Sequence, residues 1–576
     1  MVLLAAPKRK IILKEQKEDV AKKISEKFNL STITSNVLAA RGFEANEELD
    51  NFLNPTLKTG LPNPKNMIGL NEAANLIKDA IIANEIIAIC SDFDVDGLTS
   101  SAQIKSFLDA LDVKSKVYVP DRFNEGYGLN NRMIDEAKKD GASLLLSLDY
   151  GTTNQKEILY AKNLGLKIVL IDHHHVGNND PKADVFVNPK QKGCGFSKYE
   201  LCTAGLVWYF IIVLKNKLEE KGFKDVLDPK EFLDLASIGT ICDMVPLFSA
   251  NRVIAKKGLE FLNYTKRVGL VALKNSIGIT KRVSTYDVSF SIGPRLNAAG
   301  RMLSGEIVSE LLTTKDEKRA KKIAQKLEKL NSERQKIEEQ VKKGAIKQIE
   351  NLDYIPSGIC VYHPDFHTGI IGIVAQRLVE MYYKPSIVLG LDKAGVFKGS
   401  IRGVENFSVI ECLETLSSYL EKFGGHEMAG GFSIKRENIK VFAVAFNQYC
   451  ERKFKYIDTT YKVYADTEVK IGEITKDVIN ELELFSPFGI SNPSPTVLCK
   501  DLEVSKLYIL KNAHLKVVFL DEYNKMITGM LWRQTSHPLL KEGRKVDIAF
   551  KPVLSNYLGM DEIQANILAV NLSENK

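Results

Sequence analysis

Residues 91–97 read SDFDVDG and follow directly on the apolar run EIIAIC at 85–90. Three carboxylates within five residues repel one another, and each resists ionisation of its neighbours unless positive charge sits among them. Taken alone, the stretch reads equally well as a solvated acidic turn. Its surroundings decide the matter. Short apolar runs recur at KVYVP (116–120), SLLLSLD (143–149), KIVLID (167–172) and DVFVNP (184–189), separated by helical stretches such as TSSAQIKSFLDAL and NQKEILYAKNLG. Two-sided apolar strands alternating with helices predict a parallel, doubly wound sheet, and ligands of such sheets bind beyond the carboxyl ends of the strands.

The acids fall at those ends. Asp92, Asp94 and Asp96 follow the first strand, Asp149 closes the third in LSLDYG, and Asp172, His173 and His174 close the fourth in LIDHHH. Three clusters from separate parts of the chain therefore meet on one rim. Hard carboxylate oxygens with an imidazole nitrogen suit Mn²⁺ or Mg²⁺ better than a thiolate-preferring metal. So many acids suit two cations, whose charge would hold them ionised. Asp243, in GTICDMVPL, can reach the same rim, although alone it reads as a helix-terminus residue. Consecutive strand-end residues point in different directions, so His175 is not expected to be a ligand.

The 576 residues exceed what one core can organise, and three or four domains are expected. With 44% hydrophobic and 26% charged residues the composition is that of an ordinary globular protein, and a net charge of +7 is compatible with a local basic groove without demanding one. The eight cysteines form no CxxC pair, which argues against a zinc ribbon or disulfide framework and for a reducing compartment. The longest apolar run, LVWYFIIVL at 206–214, is half of the roughly 20 residues a membrane helix needs, and MVLLAAPKRK has its apolar part before its basic part. A cytoplasmic protein with no membrane partner is expected.

Helical sequence dominates from 203 to about 280. Residues 315–350 lack proline and repeat Ile323, Leu327, Leu330, Ile337 and Val341 at helical spacing, which predicts one long amphipathic helix linking domains. A second α/β unit begins at SGICVYHP (357–364). After 460, alternating runs such as HLKVVFL, MITGMLW, KVDIAF and IQANILAV predict a small antiparallel barrel of OB type. The expected boundaries are an N-terminal helical segment 1–80, an α/β domain 81–312, a connecting helix 313–352, a second α/β domain 353–458 and the barrel 459–576.

FDVDG, LDYG, IDHH and CDMVPL, in this order and spacing, resemble the DHH phosphoesterase superfamily. The chain is similar, more narrowly, to its bacterial exonucleases specific for single-stranded DNA. DRFNEGYGLN (121–130), SFSIGPRLNAAGRM (289–302), HTGIIGIVAQRL (367–378), GSIR (399–402), FGGHEMAGG (423–431) and ELELFSPFGISNPSP (481–495) carry that narrower likeness. Two departures are Tyr150, where the family has a small or polar residue, and the additional His175. The resemblance implies two α/β domains, the DHH domain and the DHH-associated domain, joined by the long helix and followed by an OB-fold. It implies Asp94, Asp96, Asp149, His173 and Asp243 as ligands of two Mn²⁺ or Mg²⁺ ions. It places His174 beside the scissile phosphate, Asp172 behind His173, and Asp92 in support. Ser400 and Arg402 would hold a terminal 5′-phosphate. Arg122, Arg295 and Arg301 would face the nucleic acid, the last two from a loop, with His426 near a phosphate or base. Arginine forks suit phosphate, and GPRLNAAGR contains no carboxylate of its own to pair with them.

The implied reaction is metal-assisted hydrolysis of single-stranded DNA from the 5′ end, releasing 5′-mononucleotides, in DNA repair and recombination. A strut helix between two domains suggests a passage admitting one strand and excluding two, with Tyr127, Phe366 and Phe423 as stacking candidates. A monomer is expected, cooperating with a single-strand-binding protein and a helicase. Two alternatives are a phosphodiesterase of short oligonucleotides or cyclic dinucleotides, which should lack the strut and barrel, and a non-catalytic scaffold at replication forks, which should have lost ligands.

Overall fold

The computed structural model describes residues 9–122, 125–177, 181–456, 458, 460–557 and 560–573. They form two compact units: 47–334 with 485–493, here the first unit, and residues up to 46, 335–484 and 494–576, the second. Among the described residues, the N-terminal segment read as helical includes strand β1 (Arg9–Leu13), before helices Glu18–Phe28, Thr32–Ala40, Glu47–Leu53 and Leu70–Ile82.

In the first unit, β2 (Ile87–Ser91), β3 (Ser115–Tyr118), β4 (Leu144–Leu148), β5 (Lys167–Ile171) and β6 (Val185–Val187) form a wholly parallel sheet of order β3-β2-β4-β5-β6. Each central strand is buried on both faces because helices cover both sides, which is why the sequence shows continuous apolar runs and no alternation. Helices Thr203–Glu220, Leu233–Cys242 and Ser249–Asn263 follow. The run LVWYFIIVL lies in the first of these and supplies the core; no described helix is long and apolar enough to cross a membrane.

GPRLNAAGR departs from expectation. It is a helix, Gly293–Met302, preceded by a π-helical turn, Val288–Ile292. The π-turn, in which the Gly293 N–H bonds back five residues to the Val288 carbonyl, is where the helical run accommodates Pro294, and the following leucine and alanines favour the helix.

Helix Glu317–Glu350 runs unbroken for 34 residues. Its Ala320, Ile323, Ala324 and Leu327 enter the core of the first unit, and Val341, Ala345 and Ile349 that of the second. The second unit contains β7 (Ile359–His363), β8 (Ser386–Leu391), β9 (Phe397–Arg402), β10 (Lys422–Gly425) and β11 (Ala429–Ile434), in the order β10-β11-β9-β8-β7. Only β7 and β8 in this sheet run parallel. Next, β12 (Tyr461–Ala465) pairs in parallel with β1, and β13 (Thr467–Glu468) leads to the barrel. There β14 (Val497–Leu510), β15 (His514–Leu520), β16 (Met526–Leu531), β17 (Lys545–Tyr557) and β18 (Met560–Leu572) close in the order β14-β15-β16-β18-β17, with β17 returning to β14. That cyclic order is an OB-fold.

Candidate metal centre

The rim of the parallel sheet gathers the acids. Asp94 caps helix Val95–Ala110, accepting the Gly97 N–H at 3.1 Å. Glycine is required at 97 because a Cβ there would lie 2.7 Å from the carbonyl oxygen of Asp92. Asp96 faces the start of helix Thr203–Glu220, where the N–H groups of Thr203 and Ala204 donate to its two oxygens at 2.7 and 2.8 Å. The free amides of a helix N-terminus thus hold a carboxylate in place while leaving it further lone pairs. Asp149 adopts a left-handed backbone, φ 69°, and its Oδ1 accepts from the Thr203 hydroxyl at 2.9 Å. Asp243 caps the C-terminus of helix Leu233–Cys242.

His173 stands among these acids. Its Nε2 is 3.4 Å from Asp149 Oδ1, 3.6 Å from Asp243 Oδ2 and 3.9 Å from Asp96 Oδ2. Burial, aided by the neighbouring His174, pushes its pKa down to about 3, so the ring is neutral and these are not ion pairs. His173 Nε2, Asp243 Oδ2 and Asp92 Oδ1 are all buried without a hydrogen-bond partner. Lone pairs facing lone pairs at such separations, in a buried place, call for cations between them. Three sets of ligand atoms lie within 4.8 Å of one another: Asp96, His173 and Asp243; Asp92, Asp94 and Asp149; and Asp149, His173 and His174. The donor set, carboxylates with imidazole, fits Mn²⁺ or Mg²⁺.

The electrostatics agree. Burial and then the charge of Asp94 raise Asp96 to about 6. Burial also lifts Asp92, Asp149 and Asp243 well above the carboxylate range, with neighbouring acids adding to it. Asp172 is the exception. Its Oδ2 accepts from the Thr152 amide and hydroxyl, and its Oδ1 from the amides of His173 and His174 and from His174 Nδ1 at 2.7 Å. Burial would raise its pKa, but His174 and Thr152 outweigh it and hold the carboxylate ionised.

Three assignments are refined by this geometry. Asp172 grips the ring of His174 and only the backbone of His173, because its carboxylate lies under the turn that both histidines follow. Asp92, read as support, has a free oxygen within a ligand set. Tyr127 is a neighbour of His174: its hydroxyl donates to the Asp149 carbonyl at 2.9 Å and stands 3.2 Å from His174 Nδ1 and 3.3 Å from Nε2. His175 is exposed, and Tyr150 is fully buried in the core. Thr203 was not foreseen, although a threonine opening an apolar helix is a recognisable start signal.

The basic residues divide. Arg122 lies 5.1 Å above the Phe93 ring, within the field of Asp92 and Asp94. Arg295 does have a carboxylate partner, supplied by another helix: Glu328, at 2.6 Å. The absence of acids within its own motif therefore did not leave it free for phosphate. Arg301 occupies the last turn of the same helix. In the second unit, Arg402 on β9 donates to Ser400 Oγ at 2.9 Å and to the Ile401 carbonyl at 2.8 Å. A Cβ on Gly372 would lie 3.0 Å from the Arg402 guanidinium and 3.1 Å from Ser400 Oγ, so that glycine keeps a helix close to both groups. His426 is exposed in the turn between β10 and β11, and Phe366 is buried in the core.

The class of protein follows. Residues 86–240 match the DHH family, N-terminal domain, 355–452 the DHHA1 domain, and 465–569 the RecJ OB domain. The chain is 34% identical to the single-stranded-DNA-specific exonuclease RecJ of Haemophilus influenzae over 79% of this chain and 81% of that protein. It is 30% identical to RecJ of Dickeya dadantii, over 93% and 95% respectively. RecJ of Bacillus subtilis is 34% identical over 91% of this chain, which spans 66% of that longer protein. The crystal structure of Thermus thermophilus RecJ in complex with Mn²⁺ superposes with a TM-score of 0.84 at 25% identity, covering 99% of this chain and 80% of that one. The chain belongs to the RecJ family of DHH phosphoesterases, which are metal-dependent hydrolases.

Proposed function

We propose that the chain is an exonuclease that degrades single-stranded DNA from the 5′ end and releases 5′-mononucleotides, with Asp92, Asp94, Asp96, Asp149, His173 and Asp243 holding two Mn²⁺ or Mg²⁺ ions. The observation that carries this is the meeting of unpartnered, buried ligand atoms with a carboxylate-braced histidine at the ends of β2, β4 and β5. When bound, the cations supply an acidified water and neutralise charge on the phosphate oxygens. Asp172 fixes His174 through Nδ1 and, with the charges of Asp94 and Asp96, raises its pKa against the effect of burial. His174 is therefore suited to donating a hydrogen bond to the scissile phosphate. Tyr127 limits the ring's rotation. Ser400 and Arg402 bind the terminal 5′-phosphate, and that asymmetric contact sets the direction. Arg122, Arg301 and His426 contact the strand. We further propose a cytoplasmic monomer working with a single-strand-binding protein and a helicase.

The test is degradation of long single-stranded DNA labelled at either end, with Mn²⁺ or Mg²⁺. Mononucleotides should appear from the 5′ end, and duplex should resist. Release from the 3′ end, or cleavage of dinucleotides alone, would overturn the assignment.

A further inference from the structure

The stretch ELELFSPFGISNPSP has no part in the chemistry so far. Its residues Phe485–Pro493 pack within the first unit, although the chain on both sides of them belongs to the second. Arg252, 1% exposed, anchors the segment: Nε donates to the Phe52 carbonyl at 2.7 Å, and the two Nη groups donate to the carbonyls of Phe485 at 2.8 Å and Ser486 at 3.0 Å. The guanidinium also lies 3.9 Å above the Phe52 ring. Asn492, equally buried, closes the segment into a loop by donating to the carbonyls of Phe485 and Pro487, both at 2.8 Å.

The closed loop meets the chain just beyond Asp243. The Ile490 carbonyl accepts the Leu247 N–H at 2.9 Å, and a Cβ on Gly489 would lie 2.6 Å from Leu247 Cδ1. Asn251 Nδ2 donates to the neighbouring Pro246 carbonyl at 3.0 Å. The connection 243–248 is thus held at Pro246 and Leu247, and it includes Met244 in a left-handed conformation, φ 60°. Asp243 Oδ2 has no hydrogen-bond partner to hold it. The aim of that oxygen must then come from the backbone that carries it.

We infer that residues 485–493 are a clasp that positions Asp243, making a segment distant in sequence part of the metal centre. The inference rests on the reading of Asp243 as a ligand and names what orients it.

The test uses the full chain with Gly489→Val, a wedge against Leu247 that touches no ligand. Mn²⁺ binding is followed by titration calorimetry, alongside kcat and KM on single-stranded DNA and the circular dichroism spectrum. One Mn²⁺ site should weaken by about 10- to 100-fold, the scale for residues that orient metal ligands. The spectrum should be unchanged, and kcat should fall while KM stays within about threefold. Adding Leu247→Ala, which makes room for the wedge, should restore Mn²⁺ affinity. If Gly489→Val fails to fold, Asn492→Ala, which loosens the loop, should show the same selective loss. A folded variant binding Mn²⁺ with wild-type stoichiometry and affinity would overturn the clasp. Two Mn²⁺ bound by the wild type and one by Gly489→Val, with no DNA degraded by the wild type, would instead overturn the nuclease reading and leave the clasp standing.

Discussion

The two places suited to phosphate handle charge in opposite ways. At the sheet rim, carboxylates are crowded and buried until most resist ionisation, with His173 kept neutral among them. On β9, a guanidinium and a hydroxyl are bonded to each other and half-buried next to a glycine. The first arrangement brings unpartnered lone pairs together; in the second the donor already has its acceptor. The difference teaches what each is for. Frustrated like charge marks a place where metal belongs, and the paired arginine is the group we propose reads a terminal phosphate.

Removing an acid from the crowded rim should have the largest effect. Asp149 belongs to two of the three ligand sets, so Asp149→Ala should lower turnover by on the order of 10³-fold or more at saturating Mn²⁺, with DNA binding retained. Near-normal nuclease activity in a correctly folded variant would break the two-ion reading.

The arginine should matter less, and only for the end. A charge-assisted hydrogen bond contributes roughly 1.5–3 kcal/mol, so Arg402→Ala should lower the preference for a 5′-phosphorylated over a 5′-hydroxyl end by about 10- to 150-fold in kcat/KM. An unchanged ratio would move recognition of the end elsewhere, with Arg301 next to test.

Metal and pH sharpen the contrast further. Asp96 titrates near 6 in the folded, metal-free protein, above an ordinary aspartate, and Asp92, Asp149 and Asp243 are raised as well. The folded state therefore holds protons that the unfolded chain has released, and metal-free stability should fall as pH rises from about 4 through about 6. Mn²⁺ removes that penalty. Its stabilising effect, read as the Tm difference with and without 1 mM Mn²⁺, should grow by a few degrees between pH 5 and pH 7.5. A gain that shrinks with pH would contradict crowded acids as the ligands.

The smallest effect is expected at Arg295. Its pairing with Glu328 is only partly buried, so Arg295→Met should cost at most about 1 kcal/mol in a denaturant titration and change kcat/KM by less than about threefold. A larger loss on DNA than in stability would return Arg295 to the nucleic-acid surface.

The sequence alone determined a good deal here. Apolar runs buried on both faces announced the parallel sheet, and the acids at their ends announced a cation-binding rim. Both are local facts, since a strand buried on both sides must be apolar throughout and its C-terminal end must meet the ligand. The unbroken periodicity of 317–350 and the alternation after 460 were legible for the same reason. Partnership was not legible. That Arg295 meets Glu328 from another helix, that Asp172 holds the His174 ring, and that Thr203 presents helix amides to Asp96 depend on residues brought together from 33, 2 and 107 positions apart. Even the shortest of these is decided by which way a side chain turns at a strand end. The clasp makes the point most strongly. Nothing in FSPFGISNP reveals that its carbonyls belong to Arg252, or that Ile490 steadies the arm of Asp243. Hydrogen bonds to backbone carbonyls leave no signature in side-chain type, so only the folded chain could decide them.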